Sequence, residues 1–502
     1  MVAKPLPRLE KPTLDEYLDK VTLAEQATQH VLKPWSGVGL GILFLIVSMI
    51  FAAAYVSERP GYLIIIAAAA VAGYMAMNIG ANDVTNNVGA AVGSRAITMT
   101  TALAIAAIFE IAGAVFAGGR VVATIEAGIV DAAQMPTGPT FIWVMMAALV
   151  SAAVWINIAT WSGAPISTTH SIVGSILGAG VAAAGFSAVH WVSLAGITAS
   201  WMVSPIFGGG IAALLLAFVK TFIIYREDKI DAAIFWTPIL IATMTGVFAA
   251  YLAVIGLEKV IDISLVNGIL MGLVVFVLTI VAARPWIVRQ AQGLDNRNQS
   301  LRKLFQMPLI LSAALLSFAH GANDVSNAVG PLSAIVANVN GLAILKTAHV
   351  PLWVMLIGAF GISCGLLLFG PKLIRVVGEE ITKLNPMRAY CVALATAVTV
   401  ILATSLGLPV STTHTAVGAV FGVGIFREWY TRNSRRRLEY IRQKTGHAEF
   451  ERRIAHSPEE LHRRRLVRRS HFMTIVAAWV ITVPVSALLA AAVYSVFSVL
   501  FI

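Results

Sequence analysis

Two Asn-Asp pairs, Asn82-Asp83 and Asn323-Asp324, stand inside segments of the 502-residue chain that are otherwise almost wholly apolar. An ionised carboxylate in hydrocarbon is costly and is tolerated mainly where it faces a protein interior or a water-filled cavity. A functional site is therefore the default reading. Glycines flank both pairs, and a helix broken there would free backbone carbonyls to join side-chain oxygens around a small hard cation such as Na⁺. On this reading Asn82, Asp83, Asn323 and Asp324 are cation ligands.

A second pair of motifs suits an anion. Pro165-Ile166-Ser167-Thr168-Thr169 and Pro409-Val410-Ser411-Thr412-Thr413 read as the starts of half-helices, with proline ending what precedes and hydroxyl residues offering caps. A helix that begins inside a membrane turns free N–H groups and a partial positive charge toward its entrance. The hydroxyls of Ser167, Thr168, Thr169, Ser411, Thr412 and Thr413 add donors without the desolvation cost of a cationic side chain. Two such starts facing each other would enclose a tetrahedral oxyanion, while cation-loaded carboxylates offset its charge. Taken alone, Ser-Thr-Thr reads more simply as hydroxyls bonding back to the preceding turn. Its repeated pairing with Asn-Asp tips the reading toward a site.

Other polar residues keep two readings each. Glu110 lies mid-span in Ala107-Ile108-Phe109-Glu110-Ile111, where it either serves a coupling ion or proton or bonds a neighbouring helix. Aligning Phe109 with Phe360 sets Gly361 opposite it, so it breaks the internal symmetry. His170 and His414 follow the Ser-Thr-Thr triplets and either touch the ligand or cap and bridge helices. Arg95 either approaches the anion or snorkels to an interface.

These residues need a membrane scaffold to hold them. The chain is 58% hydrophobic and 12% charged, with mean hydropathy +0.82, too apolar for a soluble fold of this size. Apolar segments fall near residues 36–56, 61–92, 99–118, 141–161, 165–184, 191–219, 233–256, 264–284, 306–335, 352–371, 388–405, 409–426 and 472–500. They predict an all-α polytopic bundle with about 12–13 spans, some broken or re-entrant at the site.

Half of the bundle repeats the other. Residues 80–89 return as 321–330, and 160–180 align without a gap to 404–424. Trp201 with Pro205 and Trp479 with Pro484 extend the match. The repeats then span 61–219 and 306–500, joined by 220–305, with an extra helix at 36–56 and an amphipathic segment at 1–35 whose Thr13 and Glu16 have capping-box spacing. The paired glycines Gly174/Gly178 and Gly418/Gly422 are expected to pack helices.

Charge sets the orientation. The net charge of +11 is concentrated in loops, which fits the positive-inside rule better than nucleic-acid binding. Residues 284–305 carry Arg284, Arg289, Arg297, Arg302 and Lys303, and residues 427–471 carry Arg435–Arg437, Arg463–Arg465, Arg468 and Arg469, so both are expected in the cytoplasm, the longer loop lying on anionic lipid. The span count between them makes the repeats inverted, with the N-terminus inside and the C-terminus outside. Cys364 and Cys391 lack metal-ligand spacing and read as packing residues. No His-Glu-x-x-His occurs, and Gly361-Ile362-Ser363-Cys364-Gly365 lies mid-span rather than on a strand-to-helix turn, so an enzyme is disfavoured.

The doubled Gly-Ala-Asn-Asp-Val and Pro-(Ile/Val)-Ser-Thr-Thr-His motifs resemble the inorganic phosphate transporter family, solute carrier family 20. The resemblance covers nearly the whole membrane region. It implies a multi-pass protein of the plasma (inner) membrane with an inverted-repeat bundle, homodimeric, moving inorganic phosphate with a cation and needing no cofactor. It assigns substrate binding to Asn82, Asp83, Ser167, Thr168, Thr169, Asn323, Asp324, Ser411, Thr412 and Thr413, with Asn86 and Asn327 in second rank. Thr85, Asn87 and Ser326 depart from the common Gly-Ala-Asn-Asp-Val-Ala-Asn-Ala pattern. Proton-coupled bacterial relatives often carry His-Asp in the first motif, so Asn82-Asp83 resembles the sodium-coupled branch more. A sulfate permease of the same fold is the alternative, since hydroxyls and helix starts suit any tetrahedral oxyanion; a channel is the more distant one.

Overall fold

A computed structural model describes residues 36–57, 60–162, 166–256, 261, 263–339, 350–380, 384–435, 439 and 469–502. The capping box at Thr13 and Glu16, the segment 1–35 and most of the basic loop 427–471 lie outside them. Without water, every backbone N–H and C=O in a bilayer must find its partner within the protein, and helices do this locally. Helices accordingly account for nearly everything described, and strand pairing is confined to one isolated bridge, Val130 to Val189.

The helices are α1 (Ser36–Val56), α2 (Tyr62–Gly93), α3 (Met99–Ala117), α4 (Gly119–Ala127), α5 (Gly138–Ser162), α6 (Thr168–Ala184), α7 (Trp191–Val219) and α8 (Lys229–Tyr251). There follow α9 (Leu265–Ala291), α10 (Asn298–Leu304), α11 (Gln306–Asp324), α12 (Ser326–Val339), α13 (Leu352–Glu380), α14 (Pro386–Ser405), α15 (Thr412–Asn433) and α16 (Arg469–Phe501). Among the described residues 10 helices are long and apolar enough to cross a membrane, or 11 with one bent pair, so the protein is a multi-pass integral membrane protein.

That number is below the 12–13 spans expected from apolar segments. Segment 165–184 folds as α6, which has 17 residues. At ~1.5 Å per residue such a helix falls short of a hydrocarbon core ~30 Å thick. Its start lies at Ser167, which is buried, and the start of α15 at Ser411 is buried likewise. These are the half-helices the Ser-Thr-Thr motifs predict.

The expected break at Asn-Asp is corrected in the first copy. Helix α2 runs without interruption through Gly80, Asn82, Asp83 and Gly89. In the second copy only Val325 separates α11 from α12, and its backbone stays in the right-handed helical region. The motif glycines serve close packing instead. A Cβ on Gly80 would overlap the carbonyl oxygen of Ile362 in α13, and one on Gly321 would overlap the carbonyl oxygen of Glu110 in α3. Conversely Gly365 abuts Met77, and Gly113 abuts Phe318.

The contact of α2 on α13 thus has its counterpart in α11 on α3, as expected of two copies of one unit. These pairs set Glu110 opposite Ile362, one residue from the Gly361 expected by aligning Phe109 with Phe360. Gly174 and Gly178 of α6 meet Val483, Ser486 and Ala487 of α16, and Gly418 and Gly422 of α15 meet Pro205 and Gly209 of α7. Small residues let membrane helices approach to backbone contact, where dispersion replaces the missing hydrophobic drive. Ser363 donates to Ala107 O at 3.1 Å and Gly365 sits against α2, so the Gly-x-Ser-x-Gly run packs helices.

Replacing Gly321 or Gly80 with valine is expected to prevent α11–α3 or α2–α13 from closing, destabilising the fold by more than the ~1–3 kcal/mol typical of overpacking because backbone is struck. Gly196→Val, whose Cβ would meet nothing within 4 Å, is expected to behave as wild type. Gel filtration and thermal unfolding in detergent check both outcomes.

Candidate functional site

Helices α2, α6, α11 and α15 bring the four motifs to one buried centre. Ser167 and Ser411 have extended backbone and act as N-caps, each accepting a hydrogen bond at 3.2 Å from the backbone N–H of His170 or His414. The capping places the next hydroxyl of each triplet on an aspartate. Thr168 donates to Asp83 Oδ2 at 3.0 Å, and Thr412 donates to Asp324 Oδ2 at 2.8 Å. Each half therefore builds the same aspartate–threonine bond.

Other bonds join the halves. Thr413 donates to Asp83 Oδ1 at 3.0 Å, and Thr169 donates to the carbonyl of Val410 at 3.2 Å. Asn86 Nδ2 donates to Thr413 Oγ1 at 2.8 Å, while Asn327 Nδ2 lies 3.3 Å from Thr169 Oγ1 and 3.4 Å from Thr168 Oγ1. All ten expected ligand residues are buried in this one region. Asn327, buried, and Asn86, half-buried, join them.

The asparagines of the Asn-Asp pairs anchor the strands of chain leading to the half-helices. Asn82 Nδ2 donates to Thr160 Oγ1 at 2.9 Å, and Asn323 Nδ2 donates to Thr404 Oγ1 at 3.0 Å. Asn323 also clasps the segment before α15, donating to Leu408 O at 3.1 Å and accepting from the backbone N–H of Val410 at 3.2 Å. Thr160 and Thr404 open the repeated 160–180 and 404–424 blocks, yet their role needs the fold to become visible. Thr85 and Ser326 bond back to the carbonyls of Asn82 and Asn323, so these departures from the common pattern spend their hydroxyls on the helix itself.

His320 is a functional candidate that the sequence motifs do not flag. Its Nε2 lies 3.0 Å from Asp324 Oδ2 and 3.8 Å from Asp83 Oδ2, and its Nδ1 lies 3.1 Å from Glu110 Oε1. The histidine and the three carboxylate residues around it are all buried. Asn87 donates to the same Glu110 Oε1 at 2.7 Å. One atom each from Asp83, His320 and Asp324 lie within 4.8 Å of one another, a spacing that could hold a cation. A detectable signal existed: His320 and Asp324 are four apart, on one face of a helix.

The remaining candidates divide. His170 and His414 meet edge to face across the halves, with ring centroids 4.6 Å apart, and the His170 ring centroid lies 3.8 Å from that of Trp201, whose indole donates to Pro409 O at 2.9 Å. They bridge helices beside the site. Arg95 is exposed beyond the end of α2, outside the buried centre.

Carboxylates and hydroxyl-capped helix starts enclosed at the centre of a polytopic bundle have the build of a membrane transporter. The chain belongs to the phosphate transporter family, whose model matches residues 79–490. A Helicobacter pylori protein named "Putative phosphate permease" is 43% identical over 93% of this chain and 96% of its own length. A protein of that name from Chlamydia trachomatis is 36% identical over 70% of this chain and 88% of its own. A solved structure named "The sodium-dependent phosphate transporter" superposes with a TM-score of 0.76 at 33% identity, covering 88% of this chain and all of that one.

Proposed function

We propose that the chain is a symporter that carries inorganic phosphate together with Na⁺ through the buried centre between α2, α6, α11 and α15. The observation that carries the reading is the doubled aspartate–threonine bond, with the hydroxyls of two half-helix starts committed to Asp83 and Asp324. In this arrangement the hydroxyls have two uses. Facing a carboxylate they donate, as they do here; facing phosphate they donate to its oxygens, with the N–H groups of α6 and α15 behind them. A cation arriving between the carboxylates would replace those donors with its own charge and turn the hydroxyls toward the anion.

Asp324 Oδ1 and Asn327 Oδ1 are buried and make no hydrogen bond among the described residues, which leaves oxygen ligands available to a hard cation. The family membership supports phosphate as the cargo, and the sodium dependence in the name of the similar solved protein supports Na⁺. The paired motifs and the exchanged helix contacts support two inverted repeats that rock about this centre.

Purified protein in vesicles is expected to accumulate radiolabelled phosphate above the equilibrated level when Na⁺ is imposed outside, with little competition from excess sulfate. Full uptake on a proton gradient with no influence of Na⁺ overturns the sodium assignment. Equal competition by sulfate overturns phosphate selectivity.

A further inference from the structure

A cavity of about 310 Å³ lies at the basic end of the bundle, lined from α7, α10, α14, α15 and the turn after α7. Lys220, Arg302, Arg388 and Arg427 line it, and among the described residues no aspartate or glutamate does. These cations come from separate elements, so their meeting is a product of the fold rather than of one charged helix face. An anion entering the recess meets cationic side chains from four directions.

The recess also has depth and neutral donors. Arg302 and Asn298 are exposed at its mouth, whereas Lys220 is only 8% exposed, its ammonium 4.2 Å from the centre of the Tyr430 ring. Asn298, Tyr225, Asn385 and Thr431 add polar side chains to the lining. Helix α14 begins there, its N-cap Asn385 accepting from the backbone N–H of Arg388 at 3.1 Å, so a 20-residue helix turns its partial positive end to the same space.

We infer that this cavity is a second anion site, for a phosphoanion with more than one negative charge: a soluble di- or triphosphate, or a lipid headgroup with more than one phosphate. Guanidinium forks match phosphoryl oxygens bidentately, and several of them suit several phosphoryl groups. The volume, at the lower edge of the roughly 300–1,000 Å³ typical of small-ligand pockets, has room for more than one tetrahedral group. The chemistry is opposite to that of the central site, where anion donors are hydroxyls and helix ends. A cation-rich site holds a resident ligand, whereas a cargo must be released.

The test uses full-length protein in neutral detergent at low salt, with inorganic pyrophosphate titrated by calorimetry. Native mass spectrometry of protein reconstituted with cardiolipin, which carries two phosphates, forms the second arm. Arg302→Gln alters a surface side chain, and Arg388→Gln keeps the capping bond because the backbone N–H makes it; Lys303→Gln, outside the cavity, is the control. Pyrophosphate affinity is expected to fall by about tenfold or more in Arg302→Gln and further in the double variant, with Lys303→Gln near wild type. Retention of cardiolipin by wild type, lost in the same variants, assigns the site to a lipid headgroup instead. Neither ligand held by wild type, or equal affinities in Arg302→Gln and Lys303→Gln, overturns the site, and Arg302→Gln alone decides if the double variant misfolds.

Discussion

Replacing Asp83 or Asp324 with asparagine is expected to leave a folded protein in which phosphate and cation no longer strengthen each other's binding. Asparagine keeps the volume of aspartate and one acceptor oxygen, so Thr412 can still donate at position 324, while at position 83 one of Thr168 and Thr413 keeps its acceptor and the other must turn away from the new NH2 group. What is removed is the negative charge that a cation would neutralise. Mutual enhancement of two ligands is a coupling free energy, commonly ~1–3 kcal/mol or roughly 5–150-fold in affinity, and it must be the same read from either ligand. The larger loss is expected in Asp324→Asn. Asp324 keeps Oδ1 free of hydrogen bonds, whereas both oxygens of Asp83 already accept from threonine. Phosphate binding measured across a Na⁺ series on purified wild type and both variants checks this, and unaltered coupling in either folded variant removes that aspartate from the cation site.

The motifs were legible because they are doubled. Asn82-Asp83 with Asn323-Asp324, and Ser167–Thr169 with Ser411–Thr413, could be found by comparing the chain with itself, and the structure gathers all of them. The helix starts were legible too, since proline followed by hydroxyl residues has a local physical meaning that tertiary context does not reverse. Glycine was misread at the Asn-Asp pairs. A glycine in a membrane helix either permits a break or permits an approach, and only the neighbouring helix decides; Ile362 against Gly80 and Glu110 against Gly321 make it an approach. Among the described residues, two of the thirteen apolar segments fold as α6 and α15, the helices that begin at the buried Ser-Thr-Thr motifs, and α6 is apolar like a crossing helix but too short to be one, of which hydropathy registers only the first property.

His320 escaped notice because a search for similarity discards what differs between copies. It precedes Gly321, where the first copy has Ile79 before Gly80. Its partner Glu110 stands, by the exchanged glycine contacts, where the other half has Ile362, and Asn87, which donates to Glu110, stands where the other half has Ala328. Three departures from symmetry thus fall in one place. The α11–α3 contact is polar through His320 and Glu110, while the equivalent α2–α13 contact has isoleucine at both positions. Such a fold needs no charge there to pack.

That comparison within one chain supplies its own experiment. Glu110→Ile alone leaves His320 and Asn87 buried without their acceptor, and His320→Ile alone leaves Glu110 with the Asn87 bond only. Breaking one side of a buried polar pair is expected to cost about 3–5 kcal/mol, whereas replacing the whole set by apolar groups is often neutral or stabilising. The triple variant Glu110→Ile, His320→Ile, Asn87→Ala copies the other half's own solution and is expected to unfold well above either single variant, the one partner it leaves behind being Asp324, which loses His320 at 3.0 Å but keeps the bond from Thr412. Asp83 and Asp324 remain in it, so the threonine bonds of the central site persist. If the Glu110–His320 pair only joins α3 to α11, the triple variant will transport phosphate with wild-type cation dependence. The expected result is the other one, a stable protein whose uptake no longer follows the cation gradient, because His320 lies 3.0 Å from Asp324 and ties the asymmetric acid to the ligand carboxylates. Glu110→Gln, which keeps an acceptor for Asn87 and removes only charge, is expected to show the same loss of coupling with less effect on stability. Thermal unfolding and vesicle uptake, run on the same four proteins and wild type, separate packing from coupling.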